Sequence, residues 1–414
     1  MALDLIVRGA RIPDRTGRVD IGIRDGRITH IGAPVRDTGT QELDVGGQLV
    51  IPGLVESHFH LDKALLGAGA SADAGSVAGA IRATAEMKAR FTREDIAARA
   101  RRALELSIRH GTTAMRAHVE VDPIVGLAGM EAIVPLKREY AWAIDLQICV
   151  FPQEGIFKAP GTEALMRRAL TMGGEVVGGV PYNDSDPLAH LDLVFDLARE
   201  FVRDVDLHLD FADDADRLLV GEVADRTMRR GWHGRVCAGH MTALGALMPE
   251  DLAPVVARIR DAGISILVLP ATDLYLMGRH DAKNVRRGLA PARRLHDAGV
   301  NVAVSTNNVQ NPFTPFGDCD LLRVANILAT AGHFGTVDDL SLVLRMATAH
   351  GARALRLPEH GLREGARADL VVLDCTEPAE AVAAIPERSM VIKNGRLTVT
   401  NRVETTFHRP TVGS

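Results

Sequence analysis

Through the middle of the chain, short runs of apolar and β-branched residues alternate with longer stretches whose apolar positions recur every three or four residues. The runs are VIPGLVESHFH (50–60), TTAMRAHVEVD (112–122), DLQICVFPQ (145–153), EVVGGVPYN (175–183), DVDLHLDFA (204–212), RVCAGHMT (235–242), SILVLPAT (265–272) and NVAVSTNN (301–308). Each run reads as a buried strand, and the stretch after it as an amphipathic helix. In RHGTTAMR, DAGISILV and DAGVNVAV, the residues Gly111, Gly263 and Gly299 stand between helix and strand, where a left-handed C-cap favours glycine. Eight strand–helix units predict an α/β fold closed into a (β/α)8 TIM barrel rather than an open sheet.

The two ends follow a different period. Residues 3–50 and 366–409 are short alternating strands (LDLIVRGARI, VDIGIRDGRITHIG, QELDVGGQLV; ARADLVVLD, SMVIKNGRLTVTN, ETTFH) broken by DG, GG and NG turns. Neither end is long enough to bury a core alone, so the two are expected to pair into one small composite β-sandwich. The expected division is 1–53 with 365–414 for the sandwich, and 54–364 for the barrel.

Composition narrows the function. With 414 residues, 46% hydrophobic and 24% charged, the chain can bury a large core. A formal net charge of −5 gives no cationic excess for nucleic acid. The opening MALDLIVRGARIPD lacks a basic segment followed by an apolar one, and no run of eighteen apolar residues occurs. A soluble cytoplasmic protein with no membrane partner is expected. Cys149, Cys237, Cys319 and Cys375 are far apart without a CxxC pair, and read as reduced thiols of the interior.

Polar residues gather where the strands end: His58 and His60, His118 and Glu120, Gln153, Asn183, His208 and Asp210, His240, Thr272 and Asp273, Asn307 and Asn308. In this fold the C-terminal rim carries the active site. His58 and His60 are two apart, so both imidazoles face the same side of one strand. With His208 on strand five and His240 on strand six, they give the donors of a catalytic divalent site with an open position.

GLVESHFHLDK after a β-rich start, FPQEGI, DLHLDFADD, GHMTALG, STNNVQNPFTPFG and the closing GARADLVVLD...VIKNGR resemble the amidohydrolase superfamily, and within it the cytosine deaminase and N-isopropylammelide hydrolase branch. The likeness runs in order over nearly the whole chain. It implies one zinc or iron ion and hydrolytic removal of an exocyclic group from a small nitrogen ring. By the resemblance His58, His60 and His208 hold the metal, His240 contacts the attacking water or the substrate, and Gln153 reads the ring. A homo-oligomer is likewise implied.

The chain departs from that pattern at the acid–base groups. Where cytosine deaminases carry a proton-shuttling glutamate three residues after the strand-five histidine, this chain has Phe211. The metal-binding aspartate of strand eight is Asn307, and the aspartate after it is Asn308. A carboxamide is neutral and takes no proton at pH 7. Three readings follow. The proton work is relocated to Lys63, Asp210, Asp62, Asp213, Asp214 or Asp273. The substrate differs, with Asn307 and Asn308 contacting a ring carbonyl or carboxylate, Phe211 stacking on the ring, and an amino, alkylamino or thioxo group leaving. Or the chain is a non-catalytic or metal-free ligand-binding homologue.

Smaller motifs weigh less. HVE (118–120) mimics half of the other zinc nucleobase deaminase signature, but no P-C-x-x-C follows. His118 is then a partner of a ligating imidazole or a satisfied rim histidine. EVVGGVPYN has no lysine to bridge two metals, so one ion is expected, and Gly178 and Gly179 read as close-packing positions. NVRRG (284–288) reads as a solvated loop or an anion contact.

Overall fold

The structure is a computed structural model that describes residues 3–36, 38–67 and 75–408. The outermost residues of the expected sandwich, 1–2 and 409–414, lie outside them. Five strands open the chain, β1 (Leu3–Ala10), β2 (Val19–Arg24), β3 (Arg27–Gly32), β4 (Gly39–Asp44) and β5 (Leu49–Pro52). Eight follow with intervening helices: β6 (Leu54–His60), β7 (Thr112–Glu120), β8 (Asp145–Phe151), β9 (Val176–Gly179), β10 (Asp204–Leu209), β11 (Val236–His240), β12 (Ser265–Val268) and β13 (Val302–Val304). Three close the fold, β14 (Leu370–Leu373), β15 (Arg388–Lys393) and β16 (Arg396–Thr400).

Strands β6 to β13 form one parallel sheet in sequential order, each falling within one of the eight apolar runs. The sheet closes where His60 N donates to Asn307 O (2.8 Å) and Asn307 N donates to His58 O (3.0 Å). Asn307 adopts φ 65°, a left-handed conformation that asparagine tolerates better than most side chains. The three helix-ending glycines, Gly111, Gly263 and Gly299, have φ of 92°, 66° and 88°, as their C-cap positions require.

The first run is not one strand. It breaks at Gly53, where a Cβ would lie 2.0 Å from Thr113 Oγ1, so the chain passes there only without a side chain. Residues before the break pair with β14 and those after it with β7. The ends form two four-stranded sheets, β3-β2-β1-β4 and β16-β15-β14-β5. Alternation in the second sheet serves two cores. Val50, Leu370, Val372 and Ile392 pack with Leu5, Val7, Ile21 and Ile23 of the first sheet. Leu49, Ile51, Val371, Leu373 and Val391 join the core around the barrel. Lys393, buried, donates to Asp145 (2.8 Å) at the start of β8 and to Asp369 (2.7 Å), tying sandwich to barrel. The expected strand in ETTFH is absent: 401–408 has no regular structure and is largely exposed, Val403 and Phe407 included.

Cys149, Cys237 and Cys319 are buried free thiols and Cys375 is half-buried, as the spacing implied. Among the described residues no helix is long and apolar enough to cross a membrane.

The loop after β8 is braced by the one after β9. Asp184 accepts hydrogen bonds from the amides of Ile156 (2.6 Å), Lys158 (2.8 Å) and Phe157 (3.1 Å) and from His190 Nδ1 (2.7 Å). His190 Nε2 in turn accepts from Val180 N (3.0 Å), and Asn183 Nδ2 donates to Gln153 O (2.8 Å). Burial pushes the Asp184 carboxyl upward, but His190 and the three amides outweigh it and hold its pKa below the usual carboxylate range. A depressed folded-state pKa adds stability that is present above the unfolded value, about 4, and is lost as pH falls toward the folded one. Asp184→Ala is therefore expected to lower unfolding free energy by about 1.5–3 kcal/mol at pH 7, the range for hydrogen bonds to a charged group. In denaturant titrations the difference from wild type should shrink below about pH 4; a pH-independent difference would contradict this account.

Candidate active site

His58 and His60 leave β6 on its inward phase, and His208 ends β10 opposite them. His58 Nε2 lies 3.2 Å and His60 Nε2 2.8 Å from His208 Nε2, so three ring nitrogens meet at one point. All three rings are buried. Burial first, then neighbouring charges, lower their affinity for protons: His58 falls to about 3, and His60 and His208 lie well below the usual histidine range. Neutral imidazoles packed nitrogen to nitrogen cannot all be satisfied by one another, since His208 Nε2 serves only one hydrogen bond at a time. The Nδ1 atoms of His60 and His208 and Oδ1 of Asn307 also lack a hydrogen-bond partner. Asn307 Nδ2 donates to Thr272 Oγ1 (3.1 Å), which leaves that Oδ1 as a free neutral donor. This donor set fits a divalent cation.

Behind the histidines stands a pair that sequence reasoning missed. Asp206 Oδ1 lies 3.4 Å from both His58 Nδ1 and His118 Nε2, and Oδ2 accepts from Arg116 Nη1 at 2.5 Å. A carboxylate behind an imidazole fixes the ring and raises its basicity. The signal was parity: Arg116 and Asp206 precede His118 and His208 by two residues, hence share their inward face. The His118 ring lies against that of His58, tilted by 31° with centroids 3.8 Å apart. Its ligand atoms group with those of His58 and His208 within 4.8 Å. Because His118 Nε2 is turned toward Asp206 while His60 Nε2 reaches His208 directly, His60 has the better claim to the meeting point.

His240 ends β11 at φ 72° and donates from Nδ1 to Asp273 Oδ1 (2.6 Å), leaving Nε2 as its free nitrogen. Its ring lies 5.2 Å from that of His208. Phe211 stacks on it at 3.8 Å and 17°, so one face of the expected apolar wall is already taken by His240. Phe211, Leu276, Met277, Phe313 and Ala80 form an apolar cluster, joined by Val77, Ile81 and Tyr182. Val77, Ala80 and Ile81 belong to the helix Val77–Lys88, which brings its first turns against Phe211.

Lys63 is buried, but it is not solitary. Nζ donates to Glu120 Oε1 (2.6 Å) and Gln153 Oε1 (3.0 Å) and sits 4.4 Å from the Phe313 ring centre. Burial pushes Glu120 up, yet Lys63 and Lys88 outweigh it and hold it down to about 2. With Oε1 engaged by Lys63, Gln153 offers its Nε2 hydrogens to a ligand. Asp62 accepts from Glu120 N (2.6 Å), and burial and the Glu120 charge raise it to about 7.

Other candidates lie elsewhere. Asp210 does not keep the phase of His208: φ 47° breaks the alternation, and its oxygens accept from Leu219 N (2.8 Å) and Val220 N (3.1 Å) at the start of the helix Val220–Arg229. It is thus engaged as a helix cap rather than presented to the histidines. Asn308 Oδ1 accepts from Asn311 Nδ2 (2.7 Å), and its side chain lines a cavity of about 340 Å³ with Phe316, Asp318 and Arg323, apart from the histidine cluster. Asp213 caps Gly278 N (2.8 Å), and Asp214 pairs with Arg286 (3.0 Å). Arg286 and Arg287 line a groove of about 790 Å³ to which none of the clustered histidines contributes.

Comparison with known proteins agrees with this geometry. A model of the amidohydrolase family matches residues 136–399. The chain is 30% identical over 413 residues to the N-isopropylammelide isopropyl amidohydrolase of Pseudomonas sp. strain ADP, covering 97% of this chain and 98% of that one. The crystal structure of 5-methylcytosine deaminase from Klebsiella pneumoniae, liganded with 5-fluorocytosine, superposes with a TM-score of 0.92 at 31% identity, over 97% of this chain and 99% of that one. N-isopropylammelide isopropylaminohydrolase from Burkholderia multivorans superposes at 0.86 with 28% identity, over 97% and 99%. The match of a family model over more than half of the chain, of sequence from end to end and of fold leads to one assignment: the chain belongs to the amidohydrolase family.

Proposed function

We propose that this hydrolase removes an exocyclic amino, alkylamino or thioxo group from a small nitrogen heterocycle. The observation that carries the reading is the meeting of three neutral imidazoles, His58, His60 and His208, beside a fourth, His240, that a carboxylate orients. In this reading the three hold one divalent ion, zinc or iron, with Asn307 Oδ1 as a neutral oxygen donor. When bound, such an ion supplies Lewis acidity and makes water acidic enough to react near neutral pH.

The protein's own groups do the rest. His240, with Nδ1–H held by Asp273, keeps Nε2 available to take a proton from water and return it to the departing group. Its partner carboxylate stabilises the imidazolium formed in between. That assignment supplies the proton transfer that Phe211 and Asn307 cannot perform. Gln153 Nε2, turned outward by Lys63, donates to a carbonyl or ring nitrogen. Phe211, Phe313 and Leu276 exclude water over the ring. The relatives named for N-isopropylammelide and 5-methylcytosine support a nitrogen heterocycle as the substrate class. The same resemblance supports a homo-oligomer, which light scattering of the purified protein would test.

Metal content tests the centre directly. Protein purified without added metal or chelator is expected to carry about one zinc or iron per chain by plasma mass spectrometry, and His58→Ala to lose it. Equal content in both proteins would remove the metal assignment.

The relay is tested by kinetics on a ring found by screening amino-, alkylamino- and thioxo-substituted heterocycles for product release. His240→Asn and Asp273→Asn should each lower kcat about 100-fold or more while metal content stays at the wild-type value. The double variant should be little worse than either single one. Independent, multiplying losses would mean that Asp273 does not act through His240.

A further inference from the structure

Lys88, the last residue of the helix Val77–Lys88, is fully buried and far in sequence from every group given a role above. Its Nζ donates to three carboxylates: Asp122 Oδ2 (2.7 Å), Glu154 Oε1 (2.7 Å) and Glu120 Oε2 (2.8 Å). These come from the end of β7, the turn after it and the loop after β8. Glu120 passes the contact on, since its other oxygen accepts from Lys63, whose Nζ also holds Gln153 Oε1. Glu154 is the neighbour of Gln153 in the chain. Lys88 therefore grips Gln153 from two sides, through its backbone neighbour and through its side-chain oxygen.

The other end of the same helix lies over the mouth. Val77, Ala80 and Ile81 pack with Phe211, Leu276, Met277 and Phe313, and Phe211 stacks on His240. One rigid element thus ends in an apolar cover at its first turns and in a buried ammonium at its last. Burying a lysine in a protein interior is costly unless carboxylates meet it. Three do so here, and a helix merely needing an anchor could have used an apolar residue at that position.

We propose that Lys88 is a positioning residue: it couples the seating of the helix Val77–Lys88 over the histidines to the orientation of the Gln153 amide, so that covering the site and presenting Nε2 to the ring occur together. This inference rests on the reading of Gln153 as a substrate contact. Lys88 touches no substrate and acts through Glu120, Lys63 and Glu154.

The test compares wild type, Lys88→Met, Glu154→Gln, Gln153→Ala and the Lys88→Met/Gln153→Ala double variant, all as full chains of measured metal content. Amide hydrogen exchange is expected to speed up in Lys88→Met over residues 77–88 and over 151–158 together, with the barrel strands unchanged. On the screened ring, Lys88→Met should raise KM about tenfold with kcat within about threefold, and Gln153→Ala should do at least as much. In the Gln153→Ala background the lysine substitution should add less than about twofold, because both act through one contact. Full multiplication of the two effects, or faster exchange in 77–88 alone, would overturn the coupling. If Gln153→Ala leaves KM unchanged, it is the substrate reading of Gln153 that fails, whatever Lys88 does. If no ring is turned over, the proposed function fails, and exchange alone decides whether Lys88 joins the helix to the Gln153 loop. Should Lys88→Met not fold, Glu154→Gln, which keeps the ammonium and two of its carboxylates, is expected to show the same paired exchange and a KM rise of a few fold that vanishes beside Gln153→Ala.

Discussion

Between His58 and His60 the backbone of Asn307 donates to one residue's carbonyl and accepts from the other's amide, and these two hydrogen bonds join the last barrel strand to the first. Without that closure the parallel sheet would have two open edges, and the strand carrying two of the clustered histidines would be one of them. Closure also fixes where the Asn307 side chain leaves the seam, with Nδ2 on Thr272 Oγ1. A residue there must accept a left-handed backbone, which asparagine and aspartate both do. The substitution therefore changes the charge of the site without disturbing the seam.

The carboxylates that this chain lacks at positions 211 and 307 have counterparts one step back. Asp206 stands behind His58 and His118, and Asp273 behind His240. Anionic groups placed there orient and polarise imidazoles rather than meet a cation or a proton themselves. Under the proposed relay through His240, Asn307 and Phe211 need not leave an inert mouth, since histidine is suited to proton transfer near neutral pH.

Around this centre the buried charges form two sets. Arg116 holds Asp206, Lys63 and Lys88 share Glu120, and Lys88 also holds Asp122 and Glu154. Removing one member of such a set leaves an uncompensated charge in the interior, at a cost of about 3–5 kcal/mol. Geometry at the mouth is thereby tied to global stability, and the helix Val77–Lys88 belongs to the site as much as to the fold.

Much of this was written in the sequence, because periodicity and parity are local. The eight runs of apolar residues mark the eight barrel strands, helix-ending glycines mark the starts of three of them, and the spacing of His58 and His60 dictates that both rings face inward. The division of the first run at Gly53 was not legible, since the need for a missing side chain arises only when Thr113 is packed against it. Nor was the fate of Asp210: its parity matched His208, but a positive φ just past the strand end turned its carboxylate to a helix terminus. Partners separated by dozens or hundreds of residues, such as Lys88 with Glu154 or His240 with Asp273, depend on where the barrel brings strand ends together. The sequence by itself determined which side chains face the axis, because that follows from a two-residue repeat; which of them meet, and with what charge at their backs, was decided only by closure of the sheet.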